Sequence, residues 1–193
     1  MRRICVFCGS SPGARGEYTD AARALAAALA RHGLGLVYGG AKVGLMGVIA
    51  DGVLAAGGEV IGVIPKRLMT RELAHSGLHE LRVVASMHDR KREMADLADA
   101  FVALPGGIGT LEELTEVLSW AQLGLHGKPC GVLDVAGYFD QLIAFLDHAV
   151  AERFLAPAHR AMLVVASDPD VLLDRLAAYR PPAVEKWLDR DTT

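Results

Sequence analysis

One stretch of ten residues, LPGGIGTLEE at positions 104–113, constrains the fold of this chain more than any other. It follows an apolar run at 100–104 that is typical of a buried parallel strand, and it opens a segment at 110–125 that is typical of a helix. Glycines let backbone N–H groups approach an anion, and a helix start adds unpaired donors and the positive end of its dipole. Glu112 and Glu113 fall in the first turn of this helix. The stretch therefore predicts a phosphate site with a carboxylate beside it.

The residues of this stretch also allow a simpler interpretation. Glutamate in a first helical turn is common in helix capping, and a glycine-rich turn after a strand is a weak motif when it stands alone. The stretch is not a Walker A loop, because no Gly-Lys-Ser/Thr follows, and it is not the Gly-x-Gly-x-x-Gly dinucleotide fingerprint. If it binds a phosphate, it does so as a motif of another kind.

Similar strand, loop and helix units precede and follow this stretch. A first loop of small residues at 8–13 and a second, glycine-rich loop at 39–47 each come directly after an apolar run. Hydrophobic patterning predicts strands at 3–7, 34–38, 59–64, 81–84, 100–104, 128–133 and 162–165. It predicts helices at 17–32, 87–98, 110–125, 138–152 and 169–179, and one that follows the second loop and ends near 56.

This alternation predicts an α/β fold, a Rossmann-like doubly wound parallel sheet with helices on both faces, as a single domain over 1–180. Ligands of such folds bind outside the carboxyl ends of the strands, which is where the loops 9–13, 39–47 and 105–110 are expected to meet. Two consecutive prolines at 181 and 182 cannot continue the last helix. The remainder, 181–193, is predicted to be a mobile tail.

Composition narrows the classes of partner. A chain of 193 residues with 52% hydrophobic content suits one well-buried domain, and a net charge of −3 gives no basic field for nucleic acid. No apolar run approaches the roughly 18 residues that span a membrane, and the first residues lead into a strand without a signal-peptide region. Cys5, Cys8 and Cys130 are too few for a disulfide framework. We therefore expect a cytoplasmic protein with reduced thiols, a small-molecule ligand and no membrane association.

Further candidate residues lie outside the glycine loops. Arg90, Lys91 and Arg92 stand near a predicted helix start, where the dipole disfavours cations, so they predict a bound anion unless they form a solvated basic face. Lys42 is open to the same two interpretations, and a lone loop residue such as Glu72 is ordinarily solvated. No cluster of His, Cys and Asp indicates a metal site. Cys5 and Cys8 form a Cys-x-x-Cys motif, which is interpreted as core packing because residues i and i+3 of a strand point to opposite faces.

Several of these motifs together resemble one known family. The run at 105–113 matches the pattern PGGxGTxxE, MHDRK at 87–91 matches MHxRK, and CGSS at 8–11 and YGG at 38–40 stand at the expected places. The chain resembles the Lonely Guy family of cytokinin riboside 5′-monophosphate phosphoribohydrolases, from about residue 4 to about residue 165. Ile108 departs from the pattern, because an aromatic residue is common at this position of the family.

The resemblance implies hydrolysis of the N-glycosidic bond of an adenosine 5′-monophosphate, with or without an N6 substituent, releasing the free base (cytokinin or adenine) and ribose 5-phosphate. By position, Arg90 and Glu113 look like the catalytic pair, and Glu113 would stabilise the oxocarbenium character of the sugar and orient water. The resemblance also implies that the catalytic pair contacts the substrate. The other implied substrate contacts are Gly9, Ser10, Gly39, Gly40, Glu72, Lys91, Gly106, Gly107, Ile108, Gly109, Thr110, Leu111 and Glu112. The resemblance and the apolar helix at 111–125 also imply a homodimer.

Three alternatives accompany this prediction. Members of the family have carried the label lysine decarboxylase, which needs pyridoxal phosphate on a lysine; no lysine here has a recognisable cofactor context, so no cofactor is predicted. A non-catalytic nucleotide-binding or carrier protein would use the same phosphate loop without turnover. A broad purine nucleotide nucleosidase would differ only in its base preference.

Overall fold

The computed structural model describes residues 1–69 and 74–182, and its centre is one parallel sheet of seven strands. The strands are β1 (Arg3–Phe7), β2 (Gly35–Tyr38), β3 (Val60–Pro65), β4 (Glu80–Val84), β5 (Ala100–Ala103), β6 (Cys130–Leu133) and β7 (Leu163–Ala166). Their order across the sheet is β4-β3-β2-β1-β5-β6-β7, and every neighbouring pair is parallel. The prediction of a Rossmann-like α/β fold is confirmed.

Seven helices accompany the strands within the described part of the chain. They are α1 (Gly16–Arg31), α2 (Gly44–Ala55), α3 (Met87–Leu97), α4 (Ile108–Gln122), α5 (Asp140–Ala151), α6 (Pro157–Arg160) and α7 (Pro169–Ala178), and a 3₁₀ turn covers Lys66–Leu68. One buried cluster joins α1, α2 and α7 to one face of the sheet, and a second joins α3, α4 and α5 to the other. Because helices cover both faces, the sheet is doubly wound and the central strands are fully buried.

Local chemistry explains several helix ends. Gly33 has a φ of 65° just beyond α1, a left-handed conformation that glycine adopts without strain. Ser86 caps α3 by accepting a hydrogen bond from the Asp89 N–H at 3.1 Å, and the Asp168 side chain caps α7 from Val171 N–H at 3.0 Å.

The boundaries differ from the predicted ones most clearly around α4 and α6. Helix α4 begins at Ile108 and ends at Gln122, because Gly124 turns the chain with a φ of 73° and the Leu125 N–H bonds back to Trp120 O at 2.9 Å. Helix α6 was not predicted, because four residues are too few to show a helical period. The predicted mobile tail lies outside the described residues beyond position 182. No described helix is both long and apolar enough to cross a membrane.

Candidate active site

The strand order creates a crevice at the carboxyl edge of the sheet, between β1 and β5. The chain leaves β1 for β2 on one side and enters β5 on the other, so the loops that follow β1 and β5 meet at a topological switch point. Gly9 N–H donates to Pro105 O at 3.0 Å, which joins the two loops directly. The first and third of the predicted loops are therefore brought together.

The glycine at position 106 is required by this close approach. A Cβ atom on Gly106 would lie 2.1 Å from Thr110 Oγ1 and 2.8 Å from Gly9 N, distances that no carbon atom tolerates. Thr110 itself is buried, so its hydroxyl faces the loop and not solvent. The loop backbone and the first turn of α4 consequently form one compact wall.

A cleft of about 360 Å³ opens along this wall. It is lined by residues from the loop after β1, the starts of α2, α3 and α4, and the turn after β3. They are Cys8, Gly9, Ser10, Met46, Leu68, Met87, Arg90, Gly107, Ile108, Gly109, Thr110, Glu112 and Glu113. Met46, Leu68 and Met87 form an apolar part that sequence reasoning did not single out as functional, because isolated apolar residues carry no spacing pattern.

Arg90 is the buried cation of this cleft, with only 6% of its surface exposed. Its Nε donates to Val63 O within β3, and its Nη2 donates to Gly39 O just after β2, both at 3.1 Å. Nη1 lies 4.0 Å from Met87 Sδ, which lines the cleft. Two backbone carbonyls thus fix the guanidinium plane, and the second glycine loop supplies one of them.

Glu113 lines the same cleft from α4 and is half-buried. Its charge reaches the thiols at the end of β1: burial raises the pKa of Cys8 far above its usual range, and the Glu113 carboxylate raises it further. For Cys5, burial and Glu113 raise the pKa while the Arg90 charge lowers it. The opposite charges of Arg90 on α3 and Glu113 on α4 therefore both act on the Cys5 thiol of β1.

Lys91 reaches α4, where its ammonium lies between two carboxylates. Lys91 Nζ is 2.6 Å from Glu112 Oε1 and 2.9 Å from Glu116 Oε1. Burial by itself lowers the pKa of Lys91, but these hydrogen bonds outweigh it and the pKa is raised. Lys91 thus connects α3 to α4, and its role as a substrate contact stays a prediction.

The other predicted substrate contacts lie at several places. Gly9, Ser10 and 107–110 line the cleft. Gly39 and Gly40 are buried, and Gly39 O together with Val63 O forms the seat of Arg90, the two carbonyls that hold its guanidinium. Leu111 packs partly into the core on the face that α4 covers. Glu72 lies outside the described residues.

A second, more apolar compartment adjoins the cleft across Gly9, Ser10 and Gly107. It measures about 290 Å³, and Tyr18 and Tyr138 meet there edge to face with ring centroids 5.5 Å apart. The Tyr138 hydroxyl donates to Gly106 O and so braces the loop after β5.

The lysines of the described residues lie in separate environments, and the absence of a pyridoxal phosphate site stays a prediction. Lys42 and Lys66 are exposed, Lys91 is held by two carboxylates, and Lys128 Nζ donates to Ala95 O at the end of α3, at 2.7 Å. Among the described residues, no group of three or more His, Cys, Asp or Glu is arranged to hold a metal ion.

Comparisons with known proteins agree with the motifs. The profile of a family described as "Possible lysine decarboxylase" matches residues 46–176. The chain is 54% identical over 181 residues to the probable cytokinin riboside 5′-monophosphate phosphoribohydrolase LOGL6 of Oryza sativa subsp. japonica, covering 94% of this chain and 72% of that protein. It is 52% identical over 181 residues to the cytokinin riboside 5′-monophosphate phosphoribohydrolase LOG3 of Arabidopsis thaliana, covering 94% and 84%.

Solved structures extend the likeness to more distant proteins. The molybdenum cofactor carrier protein of Chlamydomonas reinhardtii has a TM-score of 0.70 at 23% identity, covering 92% of this chain and 99% of that one. DNA processing protein A of Streptococcus pneumoniae has a TM-score of 0.59 at 13% identity, covering 91% and 62%. At such identities the likeness concerns the fold alone. The profile match and the identity to named relatives show that the chain belongs to the Lonely Guy family of cytokinin riboside 5′-monophosphate phosphoribohydrolases.

Proposed function

We propose that this chain hydrolyses the N-glycosidic bond of adenosine 5′-monophosphates, N6-substituted ones included, to the free base and ribose 5-phosphate. One observation carries the proposal: a buried arginine on α3 and a half-buried glutamate on α4 line the same cleft as the glycine-rich start of α4. The names of the relatives, which describe this reaction for those proteins, support the same conclusion.

The chemistry requires a carboxylate close to the sugar. Cleavage of the bond between C1′ and the base nitrogen builds positive charge on the ribose ring, and a carboxylate stabilises that charge while it orients the attacking water. Glu113 suits this role, because it stands in the first turns of α4, near the helix start where we propose that the phosphate binds. Arg90 suits the complementary role of a fixed fork for ribose or phosphate oxygens.

The 5′-phosphate is assigned to the start of α4. The first N–H groups of a helix have no intrahelical partner, and open space at Gly107 and Gly109 lets an anion reach them. Apolar side chains of Met46, Leu68 and Met87 then offer a surface for the base on the far side of the ribose.

The proposal predicts a large difference between a nucleotide and its nucleoside. Binding energy from the phosphate positions C1′ against Glu113, so its loss should lower kcat as well as raise KM. We expect adenosine to be cleaved at least about 10³-fold less efficiently than AMP, roughly 4 kcal/mol of transition-state stabilisation.

The measurement is kcat/KM for the matched pair by chromatographic detection of released adenine, on one enzyme preparation. Similar kcat/KM values for AMP and adenosine would contradict the binding of the 5′-phosphate at the start of α4. Tight AMP binding without any released base would instead support the carrier alternative, and equal rates across purine nucleotides would support the broad nucleosidase.

We further propose that the chain is a homodimer of a reducing, cytoplasmic compartment. Apolar side chains near the end of α4 and on and after α5 are largely exposed, namely Leu123, Leu125, Phe145 and Phe154. An exposed apolar surface of this kind is typical of a protein–protein interface. All three cysteines are free thiols, as expected in a compartment where disulfides are reduced. Light scattering that shows only monomer at micromolar concentration would contradict the dimer.

A further inference from the structure

In the connection between β3 and β4, the buried residue His75 contacts the second glycine loop, which follows β2. Only 5% of His75 is exposed, and its backbone N–H donates to Gly40 O at 3.0 Å. The residue before it, Ala74, pairs with Ala41 in an isolated antiparallel bridge. This connection is thus fastened to the loop that follows β2.

The imidazole ring of His75 makes a hydrogen bond at each of its nitrogens. Nδ1 lies 3.1 Å from the Gly77 N–H and must accept from it, since a backbone N–H can only donate. Nε2 therefore carries the proton and donates to Asp51 Oδ1 on α2, at 2.9 Å. The His75 ring thus joins α2 to the turn at Gly77, and the backbone N–H of the same residue joins both to the second glycine loop.

These bonds lie one residue away from the seat of Arg90. Gly40 O is held by His75, and the preceding Gly39 O accepts the Nη2 hydrogen bond of Arg90. Gly40 has little room to shift, because it has a φ of 78° and a Cβ atom there would already lie 3.3 Å from Val63 N. Val63 O is the other carbonyl that holds Arg90, so both carbonyls of the seat belong to this tightly packed region.

We propose that His75 and Asp51 are positioning residues for the reaction: they latch the connection between β3 and β4 onto the second glycine loop and so fix the guanidinium of Arg90. The proposal rests on the proposed function for its effect on catalysis. The latch is defined as the Asp51 carboxylate, the His75 ring and the Gly77 N–H. No member of the latch lines the cleft, so each acts through Gly39, Gly40 and Arg90.

Asp51 offers the sharper test, because its side chain is 62% exposed and its loss leaves no cavity in the core. Asp51→Ala removes the acceptor for His75 Nε2–H, whereas Asp51→Asn keeps an oxygen acceptor and serves as the matched control. A displacement of about 1 Å at a catalytic group costs about 10²-fold. For the smaller shift expected here, Asp51→Ala should lower kcat/KM for AMP about 10-fold, mainly in kcat, and Asp51→Asn should stay within about 2-fold of the parent enzyme.

A double-mutant cycle checks that the effect passes through the ring. Asp51→Ala added to His75→Phe should cause little further loss, because the interaction is already absent. Thermal unfolding of each variant shows whether the folded fraction accounts for the change in rate. Wild-type kcat/KM in a folded Asp51→Ala variant would overturn the positioning role.

Amide hydrogen exchange separates this inference from the proposed function. Asp51→Ala should speed exchange at His75 and Gly77, and Asp51→Asn should not. If the parent enzyme released no base from AMP, the proposed function would fall while faster exchange still supported the latch. Unchanged exchange at both amides in Asp51→Ala would overturn the latch whether or not the enzyme turns over.

Discussion

Substitution of Gly39 by alanine tests the seat of Arg90 most directly. A Cβ atom at this position would lie 1.9 Å from Arg90 Nη2, 3.1 Å from Arg90 Cζ and 3.3 Å from Met46 Sδ. Because heavy atoms in contact normally stay about 3.5 Å apart, the guanidinium would have to move by about 1.5 Å. A movement of this size breaks the hydrogen bond from Nη2 to Gly39 O.

The expected loss follows from that displacement. Misplacement of a catalytic group by about 1 Å costs about 10²-fold, so kcat/KM for AMP should fall at least about 10²-fold, or about 2.7 kcal/mol. Overpacking of a buried site costs about 1–3 kcal/mol of folding stability. The loss of kcat/KM in Gly39→Ala should therefore exceed what the fraction of unfolded protein explains. AMP should also bind more weakly to this variant.

The assay is release of adenine from AMP, with thermal unfolding and AMP titration on the same preparations. Gly16→Ala is the matched control, because no atom lies within 4 Å of a Cβ there, and it should behave as the parent enzyme. In an Arg90→Ala background, Gly39→Ala should cost little more, since the displaced group is already absent. A folded Gly39→Ala enzyme with parental kcat/KM would show that this position of Arg90 is not required.

Three other substitutions test Glu113 and the contacts of Lys91 with α4. Glu113→Gln keeps the shape and removes the charge, so kcat should fall at least about 10²-fold with near-parental thermal stability, and retained turnover would exclude Glu113 as the catalytic carboxylate. Lys91→Met should lower kcat/KM about 10-fold by loosening α3 from α4. Glu116→Gln should reproduce that loss if Lys91 acts through the bridge, and a loss confined to Lys91→Met would make Lys91 a direct phosphate contact.

The fold followed from periodicity and from glycine placement. Apolar runs of four to six residues between helical segments mark strands that are covered on both faces, and all seven predicted strands are present. The exact ends did not all follow, because the predicted helix at 110–125 ran past Gly124, whose left-handed turn ends α4 with a backbone bond from Leu125 N–H to Trp120 O. Helix α6 escaped prediction for a related reason, since one short turn carries no amphipathic period.

The cleft was predictable as a meeting place of loops, but not in its construction. Gly9 and Gly106 were expected at one edge because parallel strands share their carboxyl ends, and the bond from Gly9 N to Pro105 O joins their loops. The substrate contact expected of Gly39 stays a prediction, and its carbonyl has a role that the sequence did not indicate, because it accepts a hydrogen bond from Arg90. Met46 and Leu68 gave no signal, because their place in the cleft depends on how two distant turns pack.

The contacts of the cations at the start of α3 could not be predicted from the sequence of that helix alone. Their placement at a positive helix end predicts either a bound anion or a solvated basic face, and the structure adds contacts both at the helix start and from other elements. Asp89 and Ser86 complete the cap, the charge of Arg90 is directed onto carbonyls of β2 and β3, and Lys91 is neutralised by α4. What this arrangement leaves for a ligand is the side of Arg90 that lines the cleft. The proposed recognition of the nucleotide therefore depends on how three elements hold one guanidinium and not on the number of basic residues in the motif.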